Sequence, residues 1–382
     1  MLRRTHNPGE VDLRSSIVAT LIGVAALQLH GLGQSPAPAP GQPAPGQPSS
    51  SQPTFRAGTT VVEVSAIVTR DGRPVADLRA DEVTVLDNGV AQPLVAFEYV
   101  DLGQVSGPAQ RRDFVILMDN LHIDPTRTSQ TIDTALALID RLGPHDRVAV
   151  ATTGLPDEPF DFTTDREAAR AFVRGIRGQQ AFQKSTIPGE REFAARSAME
   201  RLANLTAELR SDAERRSILL ISEGHPTLGA AAETKRNDSN NGYVEFLDVI
   251  RQAALANVAI YTVDPRGLRA PGMVSVASRE MSPQTFPVVA MSSSWTDDVQ
   301  GSLAVLALNT GGIQTRWTND LTADLDRMID DSRHYYRIAY AQPDPPAGKK
   351  QPSTRSIKVK VERKGVDVRA RQRYAPIAAP SS

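Results

Sequence analysis

Between Arg111 and Ser332 short apolar runs alternate with amphipathic stretches, and this alternation leaves few folds open. FVILM (Phe114–Met118) contains no polar residue, as expected of a parallel strand buried on both faces. Further strands are predicted at Val148–Ala151, Ser217–Ser222, Ala259–Val263 and Ile313–Trp317. A helix is predicted to start at Asp124-Pro125, with Asp124 as N-cap, Pro125 at the first helical position, and Ile132, Ala135, Leu136 and Ile139 as its apolar stripe. Others are predicted over Asp165–Ile176, Glu192–Arg210, Tyr243–Ala256, Gln300–Leu308 and Leu321–Ser332. Strands and helices alternating at this spacing imply an α/β fold with a doubly wound, mostly parallel sheet.

The segments on either side read as β. Val62, Val64, Ala66 and Val68 alternate with Glu63, Ser65 and Thr69, and Asp71-Gly72 marks a turn. Glu82–Leu86 and Gln92–Tyr99 are predicted strands joined across Asp87-Asn88-Gly89, because Asn-Gly accepts positive φ at both central positions of a tight hairpin. After His334, strands are predicted at Tyr335–Ala341, Ser356–Arg363 and Val366–Ala370. Two half-sized β pieces are unlike stable independent domains, so residues 55–110 and 333–375 are expected to form one β-sandwich, with the α/β domain of residues 111–332 inserted between them. Residues 376–382 form a tail.

The N-terminus reads as an export segment. Arg3, Arg4 and Arg14 precede an uncharged apolar run of 13 residues, Ile17–Leu29, followed by Gly31 and Gly33. This is the pattern of a signal peptide over residues 1–33, and the run is shorter than the ~20 residues a spanning helix needs. An uncleaved anchor is the alternative. Residues 34–54 hold seven prolines and no charge, which describes a disordered spacer. The expected location is therefore secreted, or periplasmic and cell-envelope, with no transmembrane span once the signal is cleaved.

In an open α/β sheet the binding crevice lies beyond the carboxyl ends of the strands. That rule selects Asp119-Asn120-Leu121-His122, the segment Thr152–Thr164, Ser222-Glu223-Gly224-His225, and Asp264. Acidic residues there either hydrogen-bond loops and helix starts, a role worth about 1 kcal/mol, or hold a cation. The strand ending in Asp119, the stretch DFTTDREAA (Asp161–Ala169) and ILLISEG (Ile218–Gly224) resemble a von Willebrand factor type A domain. The flanking stretches VTRDGRPVADLRADEVTVLDNGVAQPLVAFEYV and RSIKVKVERKGVDVRARQRYA make the chain similar to the acidobacterial-type VWFA-related family of exported bacterial proteins, from about Phe55 to Tyr374.

The resemblance implies a metal-dependent adhesion site and a role in adhesion or protein binding. In that family pattern Mg²⁺ is held by an Asp-x-Ser-x-Ser loop, a Thr and an Asp. Here Asp119 remains, Leu121 and Ile123 replace the serines, Thr163 (or Thr164) takes the Thr position, and Glu223 replaces the second Asp. The implied metal set is thus Asp119, Thr163 and Glu223, a degenerate site expected to hold at most a loosely bound divalent cation such as Mg²⁺. A second reading places Asp119 and His122 beside Glu223 and His225 across neighbouring strands, a donor set suited to zinc.

Composition removes several other functions. A formal net charge of −1, from 43 Lys+Arg against 44 Asp+Glu, argues against nucleic acid as a partner. The absence of cysteine excludes a thiolate metal site, a disulfide framework and a cysteine nucleophile. No Gly-x-Ser-x-Gly elbow, Walker glycine loop or His-Glu-x-x-His helix is present, and Gly311-Gly312 reads as a helix end. The expectation is a non-enzymatic module that binds a protein or envelope ligand. A metal-free envelope scaffold, or a metal-assisted hydrolase using Asp119 and Glu223, are the alternatives. Two long loops, Gly229–Gly242 and Pro265–Asp298, are candidate contact surfaces, the second through Arg266, Arg269, Met273, Phe286 and Trp295.

Overall fold

The alternation at the start of the first β segment is borne out in strand β1 (Val61–Arg70), where Val62, Val64, Ala66 and Val68 all point inward. The protein is described here by a computed structural model covering residues 60–103, 107, 111–154, 161–179, 190–210, 215–225, 243–267, 301–315, 320–345, 350–352 and 354–377, all within one unit, Pro53–Ser382. The export segment and spacer, all of the contact loop Gly229–Gly242, residues 268–298 of the other, and the 376–382 tail beyond Ile377 lie outside the described residues. After β1 come β2 (Arg73–Pro74), β3 (Val83–Asp87), β4 (Val90–Gln92) and β5 (Leu94–Asp101). The Asn-Gly hairpin forms as expected, with φ of 46° at Asn88 and 82° at Gly89. The strand expected over Gln92–Tyr99 is instead two. Pro93, which has no N–H to give a ladder, ends β4 beside β3, and β5 crosses to the other sheet.

The inserted domain follows as β6 (Asp113–Met118), α1 (Thr128–Ile139), β7 (Arg147–Thr152), α2 (Arg166–Gly175), α3 (Glu190–Glu208), β8 (Arg216–Ile221), α4 (Tyr243–Leu255), β9 (Val258–Val263), α5 (residues 301–310), β10 (Gln314–Thr315) and α6 (Thr322–Asp331). Its five strands are all parallel, in the order β10-β9-β8-β6-β7. Side chains of α1, α2 and α6, such as Leu138, Val173 and Met328, cover one face. Those of α3, α4 and α5, such as Leu202, Val249 and Leu306, cover the other. The sheet is thus doubly wound, with its strands buried on both faces. Asp124 caps as expected, accepting from the Thr126 N–H at 2.9 Å, but the first turn, Pro125–Arg127, is a 3₁₀ turn leading into α1. Gly311 closes α5 at φ 83°, and an added Cβ on Gly312 would come within 1.9 Å of the Ile260 carbonyl oxygen, so only glycine lets β10 approach β9.

The chain then returns to β as β11 (His334–Ala341), β12 (Arg355–Val361), β13 (Asp367–Ala370) and β14 (Arg373–Tyr374). β11 pairs with both β1 and β5, and β13 lies on the far side of β1. β12 bridges β3 and β14 in the second sheet. Each sheet therefore takes strands from both ends of the sequence, and the two enclose a shared core of Val64, Val85, Ile338, Tyr340 and Ile357. The α/β domain is inserted into a β-sandwich formed by its flanks. Buried Asp87 ties the layers together: Arg355 Nε donates to its Oδ1 at 2.6 Å, while Tyr340 and Tyr374 hydroxyls donate to Oδ2 at 3.0 and 2.8 Å.

Candidate metal centre at the strand ends

Asp119 follows directly on β6, and its backbone N–H extends the ladder to the Ile221 carbonyl at 2.9 Å. Its side chain is fully buried. Oδ1 accepts from the Thr153 hydroxyl at 2.7 Å and lies 2.9 Å from His122 Nδ1. Oδ2 accepts from the Ser222 hydroxyl at 2.6 Å and lies 3.4 Å from His225 Nε2. The two imidazoles meet edge to face, with ring centroids 4.4 Å apart. The His225 backbone N–H is fixed by the Ser302 hydroxyl at 3.0 Å, whereas neither of its buried ring nitrogens makes a hydrogen bond. Asp119, His122 and His225 thus form a buried group whose ligand atoms lie within 4.8 Å of one another and could hold a metal ion.

The remaining implied ligands lie elsewhere. Thr163 exchanges backbone hydrogen bonds with Val148, near the start of β7. Met118 pairs with Thr152, which sets Asp119 opposite Thr153, so Thr163 beside Val148 is five residues, or about 16 Å, back along the strand. Its hydroxyl accepts from the Asp165 N–H at 2.9 Å, at the start of α2. Glu223 is buried but is not part of the group around Asp119: its Oε1 accepts from the Asp124 N–H at 2.8 Å and from Arg127 at 3.3 Å. Arg266 clasps Asp264 through two nitrogens and donates to the Glu223 carbonyl at 2.9 Å, so of the suggested contact residues this one is tied into the scaffold. Ile123, at a serine position of the cation loop, is 1% exposed and belongs to the apolar interior. With hydroxyls replaced at two positions and imidazoles close to the one retained Asp, the residues do not fit octahedral oxygen coordination of Mg²⁺.

Three polar groups of the site escape a reading by family pattern: Thr153, Ser222 and Ser302. The first was within reach of strand register, since Met118 opposite Thr152 sets Thr153 opposite Asp119.

Electrostatics separates the members. Burial by itself raises the Asp119 carboxyl, but the His122 charge and hydrogen bond, the His225 charge and the Ser222 hydroxyl outweigh it and hold the group below the ordinary carboxylate range. Burial, and secondarily His122, push His225 down to about 3 against the pull of Asp119. His225 is therefore neutral at physiological pH. Burial raises the Glu223 carboxyl, opposed by the Asp124 N–H, Arg127 and Arg266. A folded-state histidine pKa below its unfolded value of 6.5 means that the unfolded chain takes up the proton first as pH falls. The contribution of His225 to stability is thus expected to be complete above about pH 6.5 and to be lost towards pH 3. In denaturant titrations between pH 6.5 and 5, above most carboxylate titrations, the His225→Gln variant should show a flatter slope than the parent.

Layers and site together define an α/β domain with a doubly wound parallel sheet, carrying a buried carboxylate–imidazole group at its strand ends and set into a β-sandwich. Neither a family model nor a curated protein matches the chain. Among solved structures, an aerotolerance-related membrane protein from Bacteroides fragilis NCTC 9343 is 15% identical, over 58% of this chain and 98% of that one, with a TM-score of 0.32. The conserved hypothetical protein BatB from Bacteroides thetaiotaomicron is 16% identical over the same shares, with a TM-score of 0.32.

Proposed function

We propose that the chain is an exported, non-enzymatic protein-binding or adhesion-type module of the VWFA-related kind, acting outside the cytoplasm or in the cell envelope without an Mg²⁺ bridge to its partner. The carrying observation is that the acidic side chains at the strand ends are engaged inside the protein. Asp119 holds Thr153, Ser222 and His122; Glu223 holds the Asp124 N–H and Arg127; Asp264 holds Arg266. A cation-bridged adhesion site needs an ion with coordination positions open to a partner, and a hydrolase on Asp119 and Glu223 needs both carboxylates to face one substrate. The engaged carboxylates favour a rigid platform whose surrounding loops make the contacts. Export rests on the basic and apolar pattern of residues 1–33; among the described residues no helix is long and apolar enough to cross a membrane.

The test has two readouts. A ligand that binds the native state alone stabilises it by RT ln(1 + [L]/Kd), so even a weak Mg²⁺ site moves the melting temperature at millimolar metal. The expected result is no shift on adding Mg²⁺ in chelator-free buffer. The full chain, immobilised and exposed to envelope extract, should capture a partner saturably and equally with and without added Mg²⁺. A clear Mg²⁺-dependent rise in melting temperature, or capture that requires Mg²⁺, would overturn the reading.

A further inference from the structure

We propose that Asp119, His122 and His225 form a transition-metal site for a divalent ion of the zinc class. Two strand ends supply one carboxylate oxygen and two imidazole nitrogens, all within 4.8 Å of one another. Ligand atoms about 2.1 Å from one tetrahedral ion stand roughly 3.4 Å apart. His122 Nδ1 lies 2.9 Å from one oxygen of Asp119 and His225 Nε2 3.4 Å from the other, and with all ligand atoms within 4.8 Å of one another small side-chain movements would bring them to that spacing.

A second observation is independent of this convergence. His225 is fully buried and makes no hydrogen bond through either ring nitrogen, while its Nε2 is turned towards Asp119. Buried polar atoms without partners are uncommon because each gives up its hydration uncompensated. A metal ion on Nε2 would supply the missing partner. The surroundings suit a ligand set as well. Ser222 and Thr153 hydroxyls hold the carboxylate in orientation, and the Ser302 hydroxyl fixes the backbone of His225. Hydrogen bonds of this kind orient metal ligands and strengthen the site. Two nitrogens and one oxygen select zinc, cobalt, nickel or ferrous iron over magnesium or calcium. An ion held here needs no partner protein, so the site and the binding function stand or fall separately.

The experiment uses the full chain stripped of metal, freed of chelator and titrated with Zn²⁺, and in parallel with Co²⁺ for its visible absorption. The expected result is one Zn²⁺ per chain with a raised melting temperature. His122→Gln and His225→Gln should each bind at least about 100-fold more weakly, more than the 10–100-fold typical of losing a supporting hydrogen bond. His145→Gln and His334→Gln should bind as the parent does. No stoichiometric Zn²⁺ binding by the parent, or unchanged affinity in both site variants, would overturn the proposal. If either site variant fails to fold, X-ray absorption of the zinc-loaded parent decides: a shell with two imidazole nitrogens supports the site, and an all-oxygen or single-imidazole shell overturns it.

Discussion

Asp87→Ala is expected to cost roughly 3–5 kcal/mol, the range for removing one partner of a buried ion pair. Asp87 is fully buried, and the Arg355 side chain is 9% exposed. The substitution leaves the guanidinium without its anion and removes the acceptor of both the Tyr340 and Tyr374 hydroxyls. Burial, first of all, raises both phenols, so each stays protonated and acts as a donor. Asp87 comes from the N-terminal flank, and its three partners come from the C-terminal one. Losing it therefore loosens the joint between the two ends of the sequence as well as one sheet. With total stabilities of about 5–15 kcal/mol, a loss of this size leaves a marginal or unfolded sandwich. Urea unfolding should show a large drop in midpoint for Asp87→Ala and a smaller one for Asp87→Asn, which keeps a carbonyl acceptor. Asp81→Ala, at an exposed pair with Arg79, should leave the midpoint where it is. Equal midpoints for Asp87→Ala and the parent would mean that the cluster contributes nothing to joining the flanks.

Much of the framework was legible because periodicity survives in the sequence. All-apolar runs such as Phe114–Met118 can only be satisfied by burial on both faces, and the flanks each lacked strands enough to close a core. Pro93 was the exception, since a proline inside an alternating run can end a strand or lie along an edge, and only the second sheet decides which. The site was partly legible. Parallel neighbours bring their carboxyl ends together, so Asp119, His122 and His225 could be placed near one another from topology. Direction could not be read the same way. Successive residues of a strand point to opposite sides, and with Ser222 turned to Asp119, Glu223 is sent towards Asp124 and Arg127. Gly224, at φ 86°, then reverses the chain and returns His225 to the site. Thr163 is separated from Asp119 for a related reason: it pairs antiparallel beside Val148, at the other end of β7.

These directions change the expected consequence of removing Asp119. A loop-capping carboxylate would cost about 1 kcal/mol when lost. Asp119 instead is fully buried, accepts from Thr153 and Ser222, and faces both His122 and His225. Alanine there deprives several buried donors of their acceptor at once and removes the negative charge between two imidazoles. Asp119→Ala is therefore expected to lose roughly 3–5 kcal/mol in metal-free buffer at neutral pH, as measured by chemical denaturation. Asp119→Asn should fall between, because an amide offers one acceptor oxygen but presents an N–H₂ to whichever donors lie opposite. Ser222→Ala alone should cost less, and its cycle with Asp119→Ala should show a coupling of about 0.5–3 kcal/mol, since the two share a 2.6 Å hydrogen bond. Performing the series without metal matters, because bound zinc would add its own binding free energy to the parent and enlarge the difference. A loss of about 1 kcal/mol with no coupling to Ser222 would return Asp119 to the capping role that position in the chain alone suggests. A loss in the larger range would mean that the strand ends are held together by this carboxylate before any ion or partner arrives.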